Sequence, residues 1–274
     1  MVELKTPGEI EAMRAAGAVV AEILAAVRSA AATGVRLDEL DDLARAVLAS
    51  AGATSPFLGY QPAFAPTPYP GVLCLSVNDA VLHGPPSRYP LRDGDLLSVD
   101  CGATLDGWTG DAATSFCVGR GSAEDLALLR ATEQALNQGI GAARPGAHLG
   151  DISAAIGAVA RAAGYGLHTD FGGHGVGRTM HEEPPVFNYR VRQKGPAIRP
   201  GLVVAIEPMI VAGSIDTFVR DDEWTVTTSD GADAAHWEHS VAVHDDGIWV
   251  LTAEDGGAAG LAPFGVAPVP IAAR

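Results

Sequence analysis

Cysteine, aromatic side chains and positive charge are all scarce in this 274-residue chain: three cysteines, 6% aromatics, and 18 Lys+Arg against 33 Asp+Glu. Cys74, Cys101 and Cys117 cannot all pair with one another and show no Cys-x-x-Cys spacing, which argues against a disulfide framework or a thiolate zinc site and fits a reducing cytoplasm. Nucleic acids and anionic membranes are held by clustered cations, so a net charge of −15 points away from both as autonomous partners. Long apolar runs are missing too. The N-terminal stretch from Ala15 stops at Glu22, far short of the ~20 residues of a membrane span. A P-loop is also absent, and the glycine-rich 172–177 lacks the lysine and helix of a phosphate site.

What is present reads as helices, strands, helices, strands. Thr6-Pro7-Gly8-Glu9 has capping-box order and predicts a helix to about Ala32; Leu37, Leu40, Leu43 and Val47 predict a second, ending at Gly52. Ser122 to Asp125 opens a third, carrying Leu126, Leu129 and Leu136, and Asp151 to Ala163 is a fourth, stopped by Gly164. Strands are expected at 72–77, 96–102, 108–118, 202–210, 223–228 and 240–252. The doubled pattern predicts one α+β domain of two similar halves over 1–252, with a surface loop at 61–71 and a mobile Ala/Gly/Pro-rich tail at 253–274.

The chemistry concentrates in four places. In SVDCGATLDGWTGDAATSF, Asp100 and Asp111 flank an Asp106-Gly107 turn; with a loop at 105–106 they face each other, and with a loop at 106–107 Asp111 faces Gly102, so either register puts both on one face. Carboxylates so placed repel unless cations or protons lie between them, and their spacing suits a pair of divalent ions. FGGHGVGRTMHEEPPV sets His174 and His181 among glycines that allow close backbone approach; seven residues apart, they have different roles. Glu207 in LVVAIEPMI and Glu238 in HWEHSVAV stand in apolar runs where a buried carboxylate needs a partner or a metal. Two Asp, two Glu, one or two His and no thiolate favour dinuclear Mn, Fe, Co or Zn, whose use in lowering the pKa of water and polarising a carbonyl makes amide hydrolysis the leading reaction.

Five segments in order, SVNDAVLHG, the Asp100/Asp111 hairpin, GGHGVGRTMHEEP, AIEPM and WEHS, resemble the creatinase or pita-bread peptidases, and specifically the type I methionine aminopeptidases. The resemblance implies a pita-bread α+β fold and two divalent ions (Co, Mn, Fe or Zn) held by Asp100, Asp111, His174, Glu207 and Glu238. Asp111 and Glu238 would bridge and Asp100 chelate. It further implies catalytic roles for His83, His181 and Glu207, with His83 and His181 on the scissile amide and its carbonyl, and a side-chain pocket at Tyr60, Cys74 and Trp224. The substrate would be the initiator methionine of nascent cytoplasmic proteins when the second residue is small, met by a monomer with at most transient ribosome contact. Phe57, Met180 beside His181, and His236 where the family commonly has Gln depart from the pattern and bear on selectivity. Phe57 and Met180 fit core packing better than a selective role, while strand alternation puts His236 on the Glu238 face, where it tunes the site or is a surface or hydrogen-bonded histidine. His239 points the other way, and His148, His168 and His244 carry no assignment. The alternatives are an Xaa-Pro peptidase on the same fold, less favoured because only two helices occupy the segment before His83, and an inactive pita-bread module that binds protein.

Overall fold

The computed structural model describes residues 2–63 and 65–271. Its elements run, in chain order, α1 (Pro7–Ala30), α2 (Leu37–Ala51), β1 (Leu73–Val77), β2 (Ala80–Leu82), β3 (Leu96–Leu105), β4 (Trp108–Cys117), α3 (Ala123–Ala142) and α4 (Leu149–Ala163). There follow β5 (Gly166–Leu167), β6 (Gly173–Gly175), β7 (Glu182–Val186), β8 (Val203–Ile206), β9 (Met209–Val211), β10 (Thr217–Val219) and β11 (Val226–Thr228). The chain finishes with β12 (Ala234–His236), β13 (Glu238–His244), β14 (Gly247–Val250), the single-turn α5 (Ala258–Leu261) and a 3-10 turn at Ala262–Phe264.

The main sheet has the order β1-β3-β4-β13-β8-β6-β7, antiparallel throughout, with β14 hydrogen-bonded to β13. Two three-stranded ribbons, β10-β11-β2 and β12-β9-β5, flank it. One apolar core joins α1 and α2 to β1, β3 and β4 through residues such as Val20, Ile23, Leu40, Leu97 and Val99. A second joins α3 and α4 to β8, β9, β13 and β14 through Leu136, Ile140, Ile156, Val204 and Val241. Each half-sheet therefore carries its own helix pair, as the doubled order of elements predicts.

Local chemistry sets the helix ends. In α1 the Thr6 hydroxyl accepts from Glu9 N (3.4 Å) while Glu9 Oε2 accepts from Thr6 N (2.8 Å), and Pro7 occupies the first turn. Ser122 and Asp125 repeat the reciprocal pair for α3. Gly52 and Gly164, at φ +67° and +78°, end α2 and α4 in the left-handed conformation.

Several expectations need correction. Leu126 is 42% exposed, and Leu128 joins the expected Leu129 and Leu136 on the buried face of α3 in its place. In α2 the buried stripe is Leu37, Leu40, Ala44 and Leu48, with Leu43 and Val47 half-buried, a rotation of about one residue from the apolar count. The strand expected at 202–210 is broken at Glu207-Pro208 into β8 and β9, because proline has no N–H for the ladder. The strand expected at 240–252 is the hairpin β13–β14. Residues 253–271 do not run free: Leu261 is fully buried in the second core, Val269 N donates to Ile248 O at 2.9 Å, and His244 Nε2 lies 2.8 Å from Val269 O. Among the described residues no helix is long and apolar enough to cross a membrane.

One close approach aligns α1 with the hairpin that carries the two aspartates. A Cβ on Gly17 would lie 2.3 Å from Leu251 O, and one on Gly110 would lie 2.9 Å from Gly17 N and Cα, so helix and strand touch backbone to backbone one residue from Asp111. Gly17→Ala is expected to cost about 1–3 kcal/mol through overpacking, despite the better helix propensity of alanine. Urea denaturation reads this; a variant as stable as the parent would contradict the contact.

Candidate metal centre

The register of the sheet places the candidate ligands. Cys74 opposes Asp100, Asp100 opposes Ala113, and Ala113 opposes Glu238. His239 opposes Ile206, so the next pair out sets Glu238 across from Glu207. Opposed residues share a face, and so do residues two apart along a strand. Asp111 is two residues from Ala113 and faces Gly102, fixing the 106–107 loop of the two registers left open by the sequence. Gly175 opposes Val204, which puts His174 across from Ala205, two residues from Glu207. Six neighbouring strands or strand ends thus project Cys74, Asp100, Asp111, Glu238, Glu207 and His174 onto one side of the sheet.

Small residues and hydroxyls hold this row in place. A Cβ on Gly173 would meet Ala205 O at 2.2 Å and one on Gly175 would meet Glu183 O at 2.3 Å, so only glycine lets β6 bring His174 this close to β8. Ser240 Oγ donates to Asp111 O (2.8 Å) and accepts from Asp111 N (3.0 Å). Ser115 Oγ donates to His236 O (2.7 Å) and accepts from His236 N (3.0 Å). Asn188 Nδ2 donates to Glu207 O (2.9 Å), tying down the strand break at Pro208.

The side-chain heads converge. His174 Nε2 lies 3.5 Å from Glu207 Oε1 and 4.0 Å from Asp111 Oδ2. Its Nδ1 lies 2.9 Å from Gly175 O and donates to it, which leaves the Nε2 lone pair facing the carboxylates. His236 Nε2 is 3.7 Å from Glu207 Oε2 and 3.9 Å from Glu238 Oε2. Far from being a surface residue, His236 is almost fully buried within the cluster.

A cavity of about 280 Å³ opens onto these groups, and Tyr60, Cys74, His83, His181 and Trp224 also line it. All ten expected site residues therefore share one cavity. Phe57 and Met180 line it as well while packing together with Tyr69, Cys74 and Trp224, so their two readings are one: the packed cluster is the apolar wall. His181 Nδ1 lies 3.0 Å from the Tyr60 hydroxyl, and its ring meets that of His174 edge-on at 4.3 Å. His83 has a left-handed backbone (φ +60°) and packs edge-on against Phe171 at 5.0 Å.

Tyr69 and Phe171 are lining residues that sequence reasoning missed. The Tyr69 hydroxyl reaches Leu73 O (2.8 Å) and Gly84 O (2.9 Å), bracing β1, and its ring meets Trp224 edge-on at 4.9 Å. An aromatic residue within a proline-rich loop next to a strand was the available signal. His168 stacks on Phe171, whereas His239 bonds Thr252 Oγ1 (2.8 Å) on the opposite side of the strand.

The electrostatics call for cations. Burial pushes the Asp100 carboxyl up to about 7, and burial together with the Asp100 charge pushes Glu207 to about 8. Asp111 and Glu238 are raised well above the carboxylate range, first by burial and then by one another's neighbours in the row. Burial lowers His174 to about 3 and His83 to about 4, so both imidazoles are neutral at pH 7. Asp100 Oδ1, Asp111 Oδ1 and Glu238 Oε1 are buried without any hydrogen-bond partner. Acceptor atoms without donors, beside neutral imidazole nitrogens, fit divalent cations of the borderline class.

Comparison with known proteins agrees with this donor set. Residues 11–245 match the model of metallopeptidase family M24. Methionine aminopeptidase 1 of Mycobacterium tuberculosis is 48% identical over 259 residues, covering 92% of this chain and 95% of that protein. The crystal structure of methionine aminopeptidase from Rickettsia prowazekii superposes with a TM-score of 0.88 at 35% identity, over 92% of this chain and all of that one. Prolidase from Pyrococcus furiosus shares the fold alone, at TM-score 0.71 and 21% identity, and this chain spans 65% of its length.

The carboxyl shifts generate a stability prediction. Below the ordinary carboxyl range these groups are protonated in both folded and unfolded chains, and by about pH 7.5, one unit above the ordinary imidazole value, the histidines are nearly all neutral in both. Above about pH 7.5 the metal-free fold keeps protons on Glu207, Asp111 and Glu238 that the unfolded chain has already released, so raising the pH further lowers its stability. Thermal unfolding of chelator-stripped protein should show a falling Tm from about pH 7.5 to 8.5, and saturating Mn or Zn should remove the fall; a pH-independent metal-free Tm would contradict the electrostatic picture. The pita-bread α+β fold, the row of carboxylates with its imidazoles, and the matches to relatives along nearly the whole chain lead to one conclusion: the chain belongs to metallopeptidase family M24.

Proposed function

We propose that this chain is a methionine aminopeptidase, which removes the initiator methionine from nascent proteins in the cytoplasm when the second residue is small. One observation carries the reading: a row of five ligand-type side chains closes one end of a small cavity that also holds His83 and His181 and has an apolar wall of Phe57, Met180 and Trp224. A cavity of this size suits one apolar side chain together with the peptide bond that follows it.

Asp100, Asp111, His174, Glu207 and Glu238 would hold two divalent ions drawn from Co, Mn, Fe and Zn. Ions bound there supply acidified water and polarise the peptide carbonyl. Glu207, which lines the cavity beside His174 and His236, takes up and returns the proton. With Tyr60 O–H donating to His181 Nδ1, the imidazole keeps its proton on Nε2, the nitrogen that stabilises the oxyanion. His83, held neutral by burial and oriented by Phe171 and Trp224, contacts the scissile amide. Cys74, Tyr60 and Trp224, with Phe57 and Met180, enclose the methionine side chain; the buried Cys74 thiol is pushed well above its ordinary range and stays a neutral, soft surface for the thioether.

We assign the catalytic unit to residues 1–252, working as a monomer on N-terminal peptides with transient ribosome contact. The Xaa-Pro alternative is not favoured, because the prolidase is 21% identical and this chain spans 65% of its length, whereas methionine aminopeptidase 1 of Mycobacterium tuberculosis is 48% identical and is covered over 95% of its length.

The test is peptide cleavage followed by mass spectrometry on stripped protein supplied with Mn, Co, Fe or Zn. Loss of methionine from Met-Ala-Ser peptides is expected, with Met-Lys and Ala-Pro peptides left intact; cleavage of the Ala-Pro peptide alone would move the activity to the Xaa-Pro class. Asp111→Asn and Glu207→Ala should each lower kcat by about three orders of magnitude or more while keeping a cooperative unfolding transition. Tyr60→Phe should cost about tenfold in kcat with KM little changed.

A further inference from the structure

Two triads of ligand-type atoms share Glu238: Asp111 with His174 and Glu238, and Glu207 with His236 and Glu238, each drawn within 4.8 Å. The ligand set proposed above uses one of the two imidazoles. The other, His236, has a buried Nε2 with no hydrogen-bond partner, aimed between Glu207 Oε2 at 3.7 Å and Glu238 Oε2 at 3.9 Å. Those separations are too long for hydrogen bonds. They suit neighbouring donors around one ion, since ligands about 2.1 Å from a tetrahedral centre stand about 3.4 Å apart. Nor is the ring loosely placed. The reciprocal bonds of Ser115 Oγ to His236 N and O, together with the pairing of His236 with Met209, fix the backbone that carries it.

We propose that His236 Nε2 is an additional metal ligand, binding the ion that Glu207 and Glu238 would hold, so that the two-ion centre carries two imidazoles, His174 and His236. This inference rests on the dinuclear reading above and adds to it a donor that the resemblance does not supply. A second imidazole makes the centre softer than carboxylates with one histidine, which favours Zn and Co over Mn. Glutamine, the common residue at this position, would offer only an amide oxygen or a hydrogen bond.

X-ray absorption on Zn-loaded wild-type protein counts imidazoles directly from their outer-shell scattering. The expected average is one per ion; half an imidazole per ion, His174 alone, would overturn the inference while leaving the dinuclear site standing. Calorimetric titration of stripped protein should show His236→Gln weakening one of the two Zn sites by at least about tenfold, with a smaller effect on Mn. Unchanged affinity at both sites would overturn it as well. Wild-type protein that takes up no pair of ions would instead overturn the dinuclear reading, and this inference with it. The wild-type imidazole count needs no variant and stays decisive even if His236→Gln fails to fold.

Discussion

Four carboxyl groups buried side by side on one face of a sheet cannot all be charged unless cations lie among them. Asp100, Asp111, Glu207 and Glu238 are in that position, and one oxygen each of Asp100, Asp111 and Glu238 is buried without the hydrogen-bond donor that ordinarily satisfies a buried acid. Everything nearby works to hold this unfavourable arrangement. The Ser240 and Ser115 hydroxyls clamp the backbones of Asp111 and His236, and Asn188 clamps Glu207. The helix pairs on the two half-sheets bury enough apolar surface to keep the strands in register.

Selectivity grows out of the same geometry. Cys74 extends the row of ligands by one strand, so the apolar pocket begins where the ligands end. Tyr69 braces that edge from the proline-rich loop, and Trp224 packs on Tyr69 while standing near His83 at 6.1 Å between ring centres. A substrate backbone lying along the imidazoles would thus place its first side chain against the Phe57, Met180 and Trp224 wall. The departures at Phe57 and Met180 fall within that wall, so they alter its shape without touching the ligands.

Much of this was legible in the sequence because local rules and the tertiary structure agree. Capping boxes at Thr6 and Ser122, the glycine stops at Gly52 and Gly164, and the Asp106-Gly107 turn all form as their chemistry predicts. The aspartates shared a face in either register, so an open register did not hide the site. Misreadings arose where packing overrode pattern. Leu126 counts as apolar yet faces water, because α3 turns Leu128 and Leu129 toward the core. The C-terminal segment has a linker-like composition, but Leu261 and Val269 find partners no window of sequence displays. His236 was placed on the correct face by strand alternation, yet its distance to Glu207 depends on β12 meeting β9, a pairing across 27 residues of chain. Tyr69 and Phe171 carried no chemical motif at all.

The central claim is that the row of carboxylates is a two-cation centre. Anomalous diffraction at the Mn and Co edges from crystals of protein reconstituted with each metal tests it most directly. The account predicts two peaks about 3.5–4 Å apart, both between Asp111 and Glu238. Absence of metal from that row, with anomalous signal only at the protein surface, would contradict it.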